Sequence, residues 1–277
     1  MIIDAHQHFW QLDRGDYGWL TPALAPLYRD FAPEDLAPLL DQHGIGGTIL
    51  VQAAPSLAET EFLLNIAAKT PFVLGVVGWV DFESPKAAAD IARLAANPKL
   101  VGLRPMIQDI ADDGWMLRDA LTPAFEAMIT HDLTFDALVL PRHLPHLRSL
   151  LARHSKLRTV IDHAAKPEIA AGHFTNWASD MALLARDSRA YCKLSGLLTE
   201  AGDAWTTASL QPYIAHMFEH FGGDRLIWGS DWPVLTLAAP YEDWFNLAQS
   251  FTRNHGAEGK VFGQNALAAY GLSPVKD

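Results

Sequence analysis

The sequence has a single cysteine, an excess of acidic residues and no long hydrophobic run, and each of these excludes a class of protein. Cys192 has no partner for an internal disulfide, so we expect a reducing compartment. The formal net charge of −11 argues against nucleic acid and anionic membrane surfaces, since both require basic patches. The longest apolar run, around residues 72–80, is too short to cross a bilayer. We therefore expect a cytoplasmic protein that binds neither membrane nor nucleic acid.

Three motifs are also missing. The first residues lack a basic stretch followed by an apolar one, so we expect no signal peptide. No glycine-rich phosphate fingerprint follows the first apolar run, which argues against dinucleotide binding. No Gly-x-Ser-x-Gly elbow occurs either, so an acyl-enzyme at serine is not the expected chemistry.

Apolar, strand-like runs alternate with segments of helical spacing along the whole chain. This alternation indicates a parallel sheet that is buried on both faces. Eight such units in 277 residues predict an α/β fold, a single (β/α)8 TIM barrel, with one domain over residues 1–277. The predicted strands are residues 1–8, 47–53, 72–80, 99–105, 133–140, 158–163, 190–196 and 225–231. The predicted helices are residues 34–43, 59–68, 86–96, 119–130, 143–153, 174–187, 208–220 and 241–252.

Two histidines stand one residue apart at the end of the first predicted strand. A strand sends alternate side chains to one face, so His6 and His8 are expected to point the same way. The C-terminal ends of the strands form the active site in a (β/α)8 barrel. Paired imidazoles at this position hold a divalent metal or polarise a carbonyl, and the alternative is a structural pair that caps a buried strand.

Three other predicted strands end in residues of matching chemistry: Arg104, His163 and Asp231. By alternation Gly102 lies one layer below the arginine and Gly229 below the aspartate, which would leave room at the barrel mouth. A lone histidine or arginine at a strand end is more often satisfied by a neighbouring carbonyl or carboxylate. The alternative for Asp231 is a simple strand-ending turn, since Pro233 stops the strand. Their joint occurrence at the C-terminal ends of the strands favours one catalytic site.

A family resemblance rests on seven segments in order along the chain: DAHQHFW, VQAAPSLAET, GVVGWVDFES, GLRPMIQD, VIDHAAKP, KLSGL and RLIWGSDWPV. With them the sequence resembles the amidohydrolase superfamily, in the amidohydrolase-2 branch that contains sugar lactonases and pyrone-dicarboxylate lactonases. The resemblance implies hydrolysis of a sugar-acid lactone, of the L-fucono-, L-rhamnono- or L-galactonolactone type, to the open aldonic acid. It also implies that His6, His8, His163 and Asp231 form the active-site cluster, with Arg104 beside the substrate.

The sequence departs from the two-metal members of that superfamily. Strand four ends in Arg104 where a carbamylated lysine would bridge two metals, and strand five ends without a histidine. At most one divalent ion, Zn²⁺ or Mn²⁺, is therefore expected, and the alternative is a metal-independent reaction. In either case Asp231 would take a proton from water and return it to the leaving oxygen, while imidazoles and Arg104 stabilise the oxyanion. The ligands for such an ion would be His6, His8, His163 and Asp231.

Substrate contacts are expected from the loops at the strand ends. Residues 9–32 form a long segment with several aromatic side chains, among them Trp10 and Trp19, which either stack on a sugar ring or simply cover the barrel mouth. Lys166 is interpreted as a hydroxyl-binding group or, alternatively, as the partner of Glu168. The other candidate substrate-binding residues are Gln52, Trp79, Asp81, Gln108 and Trp232.

Three other functions compete with the sugar lactonase. A hydrolase or decarboxylase of aromatic or pyrone carboxylates would need several basic groups at the mouth, and only Arg104 and Lys166 are evident. A non-catalytic sugar-binding barrel would give Asp231 and the imidazoles no reason to converge. A structural or interaction protein is disfavoured because nothing in the sequence marks a partner surface.

Overall fold

The computed structural model describes residues 1–273, in which parallel strands alternate with helices. The strands are β1 (Ile2–Gln7), β2 (Ile45–Val51), β3 (Val73–Gly78), β4 (Leu100–Leu103), β5 (Thr134–Ala137), β6 (Thr159–Ile161), β7 (Tyr191–Leu194) and β8 (Leu226–Trp228). The α-helices are α1 (Pro33–His43), α2 (Leu57–Ala67), α3 (Ala87–Ala95), α4 (Thr122–Thr130), α5 (Leu144–Arg153), α6 (Thr175–Asp187), α7 (Leu197–Ala201), α8 (Thr207–Phe221), α9 (Tyr241–Asn254) and α10 (Asn265–Ala269).

The eight strands follow chain order around one sheet, and all seven neighbouring pairs are parallel. The ring closes where the end of β1 meets the segment that follows β8. There Asp231 N donates to His6 O and His8 N donates to Trp232 O, both at 2.8 Å. The sequence-based prediction of a (β/α)8 TIM barrel is confirmed.

The observed strands end earlier than the predicted ones, and this places the polar residues just beyond the sheet. The predicted eighth strand runs to residue 231, whereas β8 ends at Trp228. Asp231 has a backbone φ of 61°, which lies in the left-handed region and is incompatible with an extended strand. His8, Arg104 and His163 likewise follow the last residue of their strands.

Apolar side chains fill the interior of the barrel as well as the layer between sheet and helices. The interior cluster includes Ile3, Ile49, Val77 and Ile227, so the barrel is a packed core below its mouth. Tyr270, just after α10, packs on the same cluster. The end of the described chain therefore closes the barrel at the N-terminal ends of the strands.

The helices form the outer ring, and each turns an apolar face toward the sheet. In α5, for example, Leu144, Leu147, Leu150 and Leu151 are buried at helical spacing. Within residues 1–273, no helix is long and apolar enough to span a membrane.

Candidate functional site

A cavity of about 270 Å³ opens at the C-terminal ends of the strands. Four of the five predicted catalytic residues line it: His8, Arg104, His163 and Asp231. His6 lies directly beneath and has no solvent exposure. The remaining lining residues are Trp19, Ala53, Met106, Gln108, Asp109, Leu138, Lys166 and Val234.

A left-handed turn after β6 positions His163. Four successive residues, His163 to Lys166, have φ values between 50° and 60°. Left-handed conformations are costly for residues other than glycine, and in native proteins such strain clusters at functional sites. The turn directs His163 toward the barrel axis, where its Nδ1 lies 2.8 Å from Ser195 Oγ.

Gly102 and Gly229 allow neighbouring strands to approach each other. They do not leave free space at the barrel mouth, contrary to the interpretation from the sequence. A Cβ at Gly229 would lie 2.7 Å from His6 Cβ, so this glycine allows β1 to approach the end of β8. A Cβ at Gly102 would lie 2.7 Å from Thr134 O on β5. The prediction assumed that side chains alternate as far as Arg104 and Asp231, but β4 ends at Leu103 and β8 at Trp228.

His6, His8, His163 and Asp231 meet in one group, which we call the imidazole–carboxylate cluster. His6 Nε2 and His8 Nε2 are 3.2 Å apart, so both rings point the same way, as strand alternation predicts. Asp231 Oδ1 lies 3.2 Å from His8 Nε2, 3.6 Å from His6 Nε2 and 3.9 Å from His163 Nε2. His8 Nδ1 donates to Val51 O at 2.8 Å, so its Nε2 is the ring nitrogen that faces the cluster.

Burial and mutual attraction set the protonation of this cluster. Burial by itself would raise the pKa of Asp231, but the positive charge that His163 carries at acidic pH and the hydrogen bond to His8 outweigh it and hold that pKa well below its usual range. Burial lowers the pKa of His163 to about 4, although the charge of Asp231 opposes the shift. For His6, burial and then the charge of Lys193 keep the pKa well below its usual value. The aspartate is thus ionised near neutral pH, and His6 and His163 are neutral.

Arg104 is almost fully buried, at 4% exposure, and is held by its neighbours. Its guanidinium donates to Gln52 O, lies 3.5 Å from Asp162 Oδ2 and is 3.4 Å from His6 Nε2. Gln52 Nε2 in turn donates to the backbone oxygen of Arg104 at 2.7 Å. Gln52, a predicted substrate contact, supports Arg104 from behind and does not line the cavity.

Lys166 lines the cavity, but its acidic partner differs from the one considered in the sequence. Its Nζ lies 3.2 Å from Glu200 Oε1 and donates to Gln108 Oε1 at 3.2 Å. Glu168 is instead paired with His173 at 2.8 Å. The left-handed turn directs the Lys166 side chain across the barrel mouth toward Glu200 and away from Glu168.

Of the predicted aromatic contacts, Trp10, Trp79 and Trp232 do not line the cavity. Trp10 has no solvent exposure and donates its Nε1–H to Arg29 O at 2.8 Å. Trp232 is buried against Phe31, with ring centroids 5.2 Å apart. Trp79, together with Asp81, lines a neighbouring cavity of about 520 Å³. Trp19 lines both cavities, so it is the aromatic residue of the long loop that reaches the site.

Three buried ionic residues under the cluster were missed in the sequence: Lys193 on β7, Asp136 on β5 and Asp162 just after β6. We call them the buried ion network. All three have no solvent exposure, and Lys193 Nζ lies 2.6 Å from Asp136 Oδ2 and 2.8 Å from Asp162 Oδ1. Lys193 and Asp136 each stand inside an otherwise apolar strand. A charged residue at such a position indicates an oppositely charged partner in the interior, so the sequence did carry a signal for this network.

The cluster has donor atoms that fit a divalent metal ion. One ligand atom each from His6, His163 and Asp231 lies within 4.8 Å of the others. Imidazole nitrogens with a carboxylate oxygen are a donor set that zinc accepts. His8 Nε2 lies at the edge of the same group, beside His6 and Asp231.

Known proteins share this chain's sequence and fold over nearly its full length. A family model described as amidohydrolase matches residues 3–272. The chain is 48% identical over 274 residues to an L-fucono-1,5-lactonase of Burkholderia ambifaria, covering 97% of this chain and 94% of that protein. It is 35% identical over 291 residues to an L-fucono-1,5-lactonase of Burkholderia multivorans, covering 99% and 97%. A crystal structure of a Burkholderia multivorans amidohydrolase with bound zinc superposes with a TM-score of 0.91 at 33% identity, covering 99% of this chain and all (100%) of that one. The chain belongs to the amidohydrolase family.

Proposed function

We propose that this chain hydrolyses the 1,5-lactone of a sugar acid of the L-fuconic type to the open hydroxy acid. The observation that carries the proposal is the position of Asp231, whose carboxylate meets the imidazoles at the floor of the cavity beside Arg104. The two lactonases that share 48% and 35% identity with the chain support the substrate class.

Hydrolysis requires a water oxygen to bond to the lactone carbonyl carbon and the bond from that carbon to the ring oxygen to break. Asp231 is the proposed base that takes the proton from water. The protonated side chain then returns that proton to the departing ring oxygen. The water is thereby added across one C–O bond, and Asp231 regains its charge.

The carbonyl oxygen becomes negative when water attacks, and cationic or N–H donors must stabilise it. Arg104 is the proposed main donor. Its guanidinium is fixed at the cavity wall by one contact with the backbone oxygen of Gln52 and one with the side chain of Asp162. A divalent ion held by His6, His163 and Asp231 would supply Lewis-acid polarisation of the same oxygen when bound. A lactone is a reactive ester, so we propose that the protein groups suffice.

The charges that line the cavity suit a neutral polyol. Arg104 and Lys166 are the cationic side chains of the lining, and Asp109 and Asp231 balance them. Arg104 also faces Asp162, and Lys166 is paired with Glu200. Both cationic side chains of the lining already have an acidic partner. They are therefore poorly suited to bind a dianionic pyrone or aromatic carboxylate.

A panel of lactones followed with a pH indicator tests the proposal. We expect turnover of L-fucono-1,5-lactone well above its spontaneous hydrolysis, and weaker turnover of other neutral six-membered lactones. The Asp231→Asn protein is the matched control, because it retains the cavity but lacks the base. Turnover of a pyrone dicarboxylate in preference to every sugar lactone would overturn the substrate class, and binding of sugar lactones without turnover would indicate a sugar-binding barrel.

A further inference from the structure

A second cavity, of about 520 Å³, adjoins the catalytic cavity and takes no part in the proposed hydrolysis. Trp19, Met106 and Asp109 line both cavities, so the two share one wall. The indole N–H of Trp19 donates to Ala53 O at 2.8 Å, and Met106 Sδ lies 3.2 Å from Gln52 Nε2, so both side chains are held at this boundary. A substituent on a lactone ring in the catalytic cavity would meet the second cavity across these residues.

The volumes of the two cavities suit a ligand with two rings. Ligand sites in proteins usually have volumes of about 300–1,000 Å³. The catalytic cavity, at about 270 Å³, lies just below this range and suits a single small ring. The second cavity has nearly twice that volume, so it has room for another ring.

Aromatic and apolar side chains form most of the lining of the second cavity. Trp79 follows β3 and is half-buried, whereas Phe82 and Trp115 are buried with ring centroids 6.3 Å apart. Aromatic rings offer a large, flat apolar surface. Such a surface fits the C–H face of a sugar ring. The remaining apolar lining residues are Pro55, Val80, Pro105, Met106 and Ile110.

The charged groups of the second cavity are all carboxylates. No lysine, arginine or histidine is among the described residues that line it, so the lining disfavours an anionic ligand. Two of the carboxylates are neutralised from outside, because Arg14 pairs with Asp16 and Arg118 with Glu83. The other two, which form no ion pair within residues 1–273, are Asp81 and Asp109.

Trp115 supplies a hydrogen-bond donor that lacks an acceptor. Its side chain is 3% exposed, and its Nε1–H forms no hydrogen bond within the described part of the chain. A buried N–H without an acceptor costs free energy, and most such groups in native proteins have one. Because this ring lines the second cavity, an oxygen atom of a bound ligand would satisfy the N–H.

The donor on Trp115 and the acceptors on Asp81 and Asp109 together select the chemistry of the ligand. A hydroxyl group both donates and accepts, so a sugar matches both kinds of group. An ammonium group has no lone pair for the indole N–H, and a hydrocarbon matches neither kind.

We propose that the second cavity binds a neutral sugar unit, so that the enzyme accepts lactones that carry a glycosyl substituent. The lactone part of this inference rests on the proposed function, whereas sugar binding in the second cavity does not.

Binding of methyl glycosides tests the second cavity without any turnover. The probes are the methyl glycosides of L-fucose, D-galactose and D-glucose, with choline as a cation and cyclohexanol as an apolar ring, followed by ligand-observed NMR on the native protein. We expect at least one glycoside to bind and to stay bound when L-fuconate is added. Failure of all three glycosides, stronger binding of choline or cyclohexanol, or displacement of the glycoside by L-fuconate would each overturn the inference.

Trp115→Phe locates the bound glycoside, because it keeps an aromatic ring and removes the indole donor. No hydrogen bond within residues 1–273 is lost, so the fold should persist, which circular dichroism checks. The affinity for the glycoside should fall about fivefold, the scale of one hydrogen bond. Trp205→Phe is the matched control, since Trp205 lines neither cavity, and its affinity should equal the native one. Native affinity in both Trp115→Phe and Trp79→Ala would overturn the inference.

Turnover of a disaccharide lactone tests the link between the two cavities. Cellobiono-1,5-lactone and D-glucono-1,5-lactone differ only by one glucosyl unit. We expect kcat/KM of the native enzyme to be about fivefold or more higher for the disaccharide lactone, and this ratio to fall in Trp115→Phe but not in Trp205→Phe. A ratio of one or less, in an enzyme that hydrolyses L-fucono-1,5-lactone, would overturn the glycosylated substrate. Glycoside binding without turnover of any lactone would overturn the proposed function alone.

Discussion

Trp10 and Trp19 meet edge to face with ring centroids 5.5 Å apart, and only Trp19 reaches the cavity. Trp19 is 38% exposed and its indole N–H donates to Ala53 O at 2.8 Å, so it forms part of the wall next to β2. Trp10 lies behind it, fully buried. Trp10 is therefore a packing residue, and Trp19 is the tryptophan that we propose as a substrate contact.

Trp19→Ala should raise KM for a sugar lactone several-fold while the melting temperature changes little, because half-exposed rings contribute less to the core. Trp10→Ala should instead lower the free energy of unfolding by about 3–5 kcal/mol, the usual cost of removing a buried aromatic ring. Steady-state kinetics and urea unfolding of both variants check the pair. A larger KM effect in the Trp10 variant would return the substrate contact to that residue.

Asp231→Asn should lower kcat by 10²–10⁴-fold, the range that is roughly expected when a general base is removed. The amide has nearly the same shape as the carboxylate, so the fold should persist, and circular dichroism provides that control. Near-native turnover would remove Asp231 from the proposed mechanism.

Exhaustive chelation should leave substantial lactonase activity. The physical reason is that Arg104 and the imidazole N–H groups remain in place, and the base role of Asp231 needs no cation. Elemental analysis must accompany the rate measurement so that residual metal is known. Complete loss of turnover, restored by stoichiometric Zn²⁺ or Mn²⁺, would make the ion essential and contradict this prediction.

Gly196→Ala should impair catalysis through His163. Gly196 has a φ of 68°, and a Cβ there would lie 2.7 Å from His163 Nδ1. The methyl group would displace the ring from Ser195, so we expect a fall in kcat as well as in stability. Gly172→Ala is the matched control, since its φ is also 68° but nothing lies within 4 Å of the added Cβ. The control should lose about 1 kcal/mol or more from backbone strain and keep its turnover.

Glu59 should make stability depend on pH between its ordinary pKa and its folded pKa. Burial raises the pKa of Glu59 from 4.5 to about 7, although backbone N–H groups of Ala53 and Ala54 oppose the shift. The folded state thus keeps a proton that the unfolded state gives up, so the stabilising contribution is full below pH 4.5 and is lost as the pH rises through 7.

Relative to Glu59→Gln, the native protein should therefore lose about 3 kcal/mol of stability across that interval, at 1.36 kcal/mol per pKa unit. Urea unfolding of both proteins at several pH values measures the difference. A difference that is constant with pH would contradict the raised pKa.

The fold and the main cluster could be predicted from the sequence because both depend on local periodicity. Apolar runs at strand length fixed eight strands, and side-chain alternation placed His6 and His8 on one face. Asp231 and His163 were found for a different reason, since each closes an apolar run. Their backbone was not predictable, because left-handed turns at these residues are imposed by packing and not by local preference.

Contacts between residues distant in sequence were the part that could not be predicted. The pairing of Lys166 with Glu200 depends on the path of the turn after β6 and on the start of α7. The same holds for Lys193, whose carboxylate partners come from β5 and from the residue just after β6. Trp10 and Trp79 were reasonable candidates as aromatic residues near strand ends, but their direction is decided by the neighbouring loops.

The packing of Tyr270 has a consequence for how the chain matures during synthesis. Its hydroxyl donates to Asp136 Oδ2 at 2.8 Å, and Thr134 Oγ1 donates to Ala269 O at 2.6 Å. The buried ion network is therefore completed by residues that leave the ribosome after all eight strands. Until they do, Asp136 and Thr134 lack these two hydrogen-bond partners. The last contacts of the buried ion network therefore form after the strands that carry it have been synthesised.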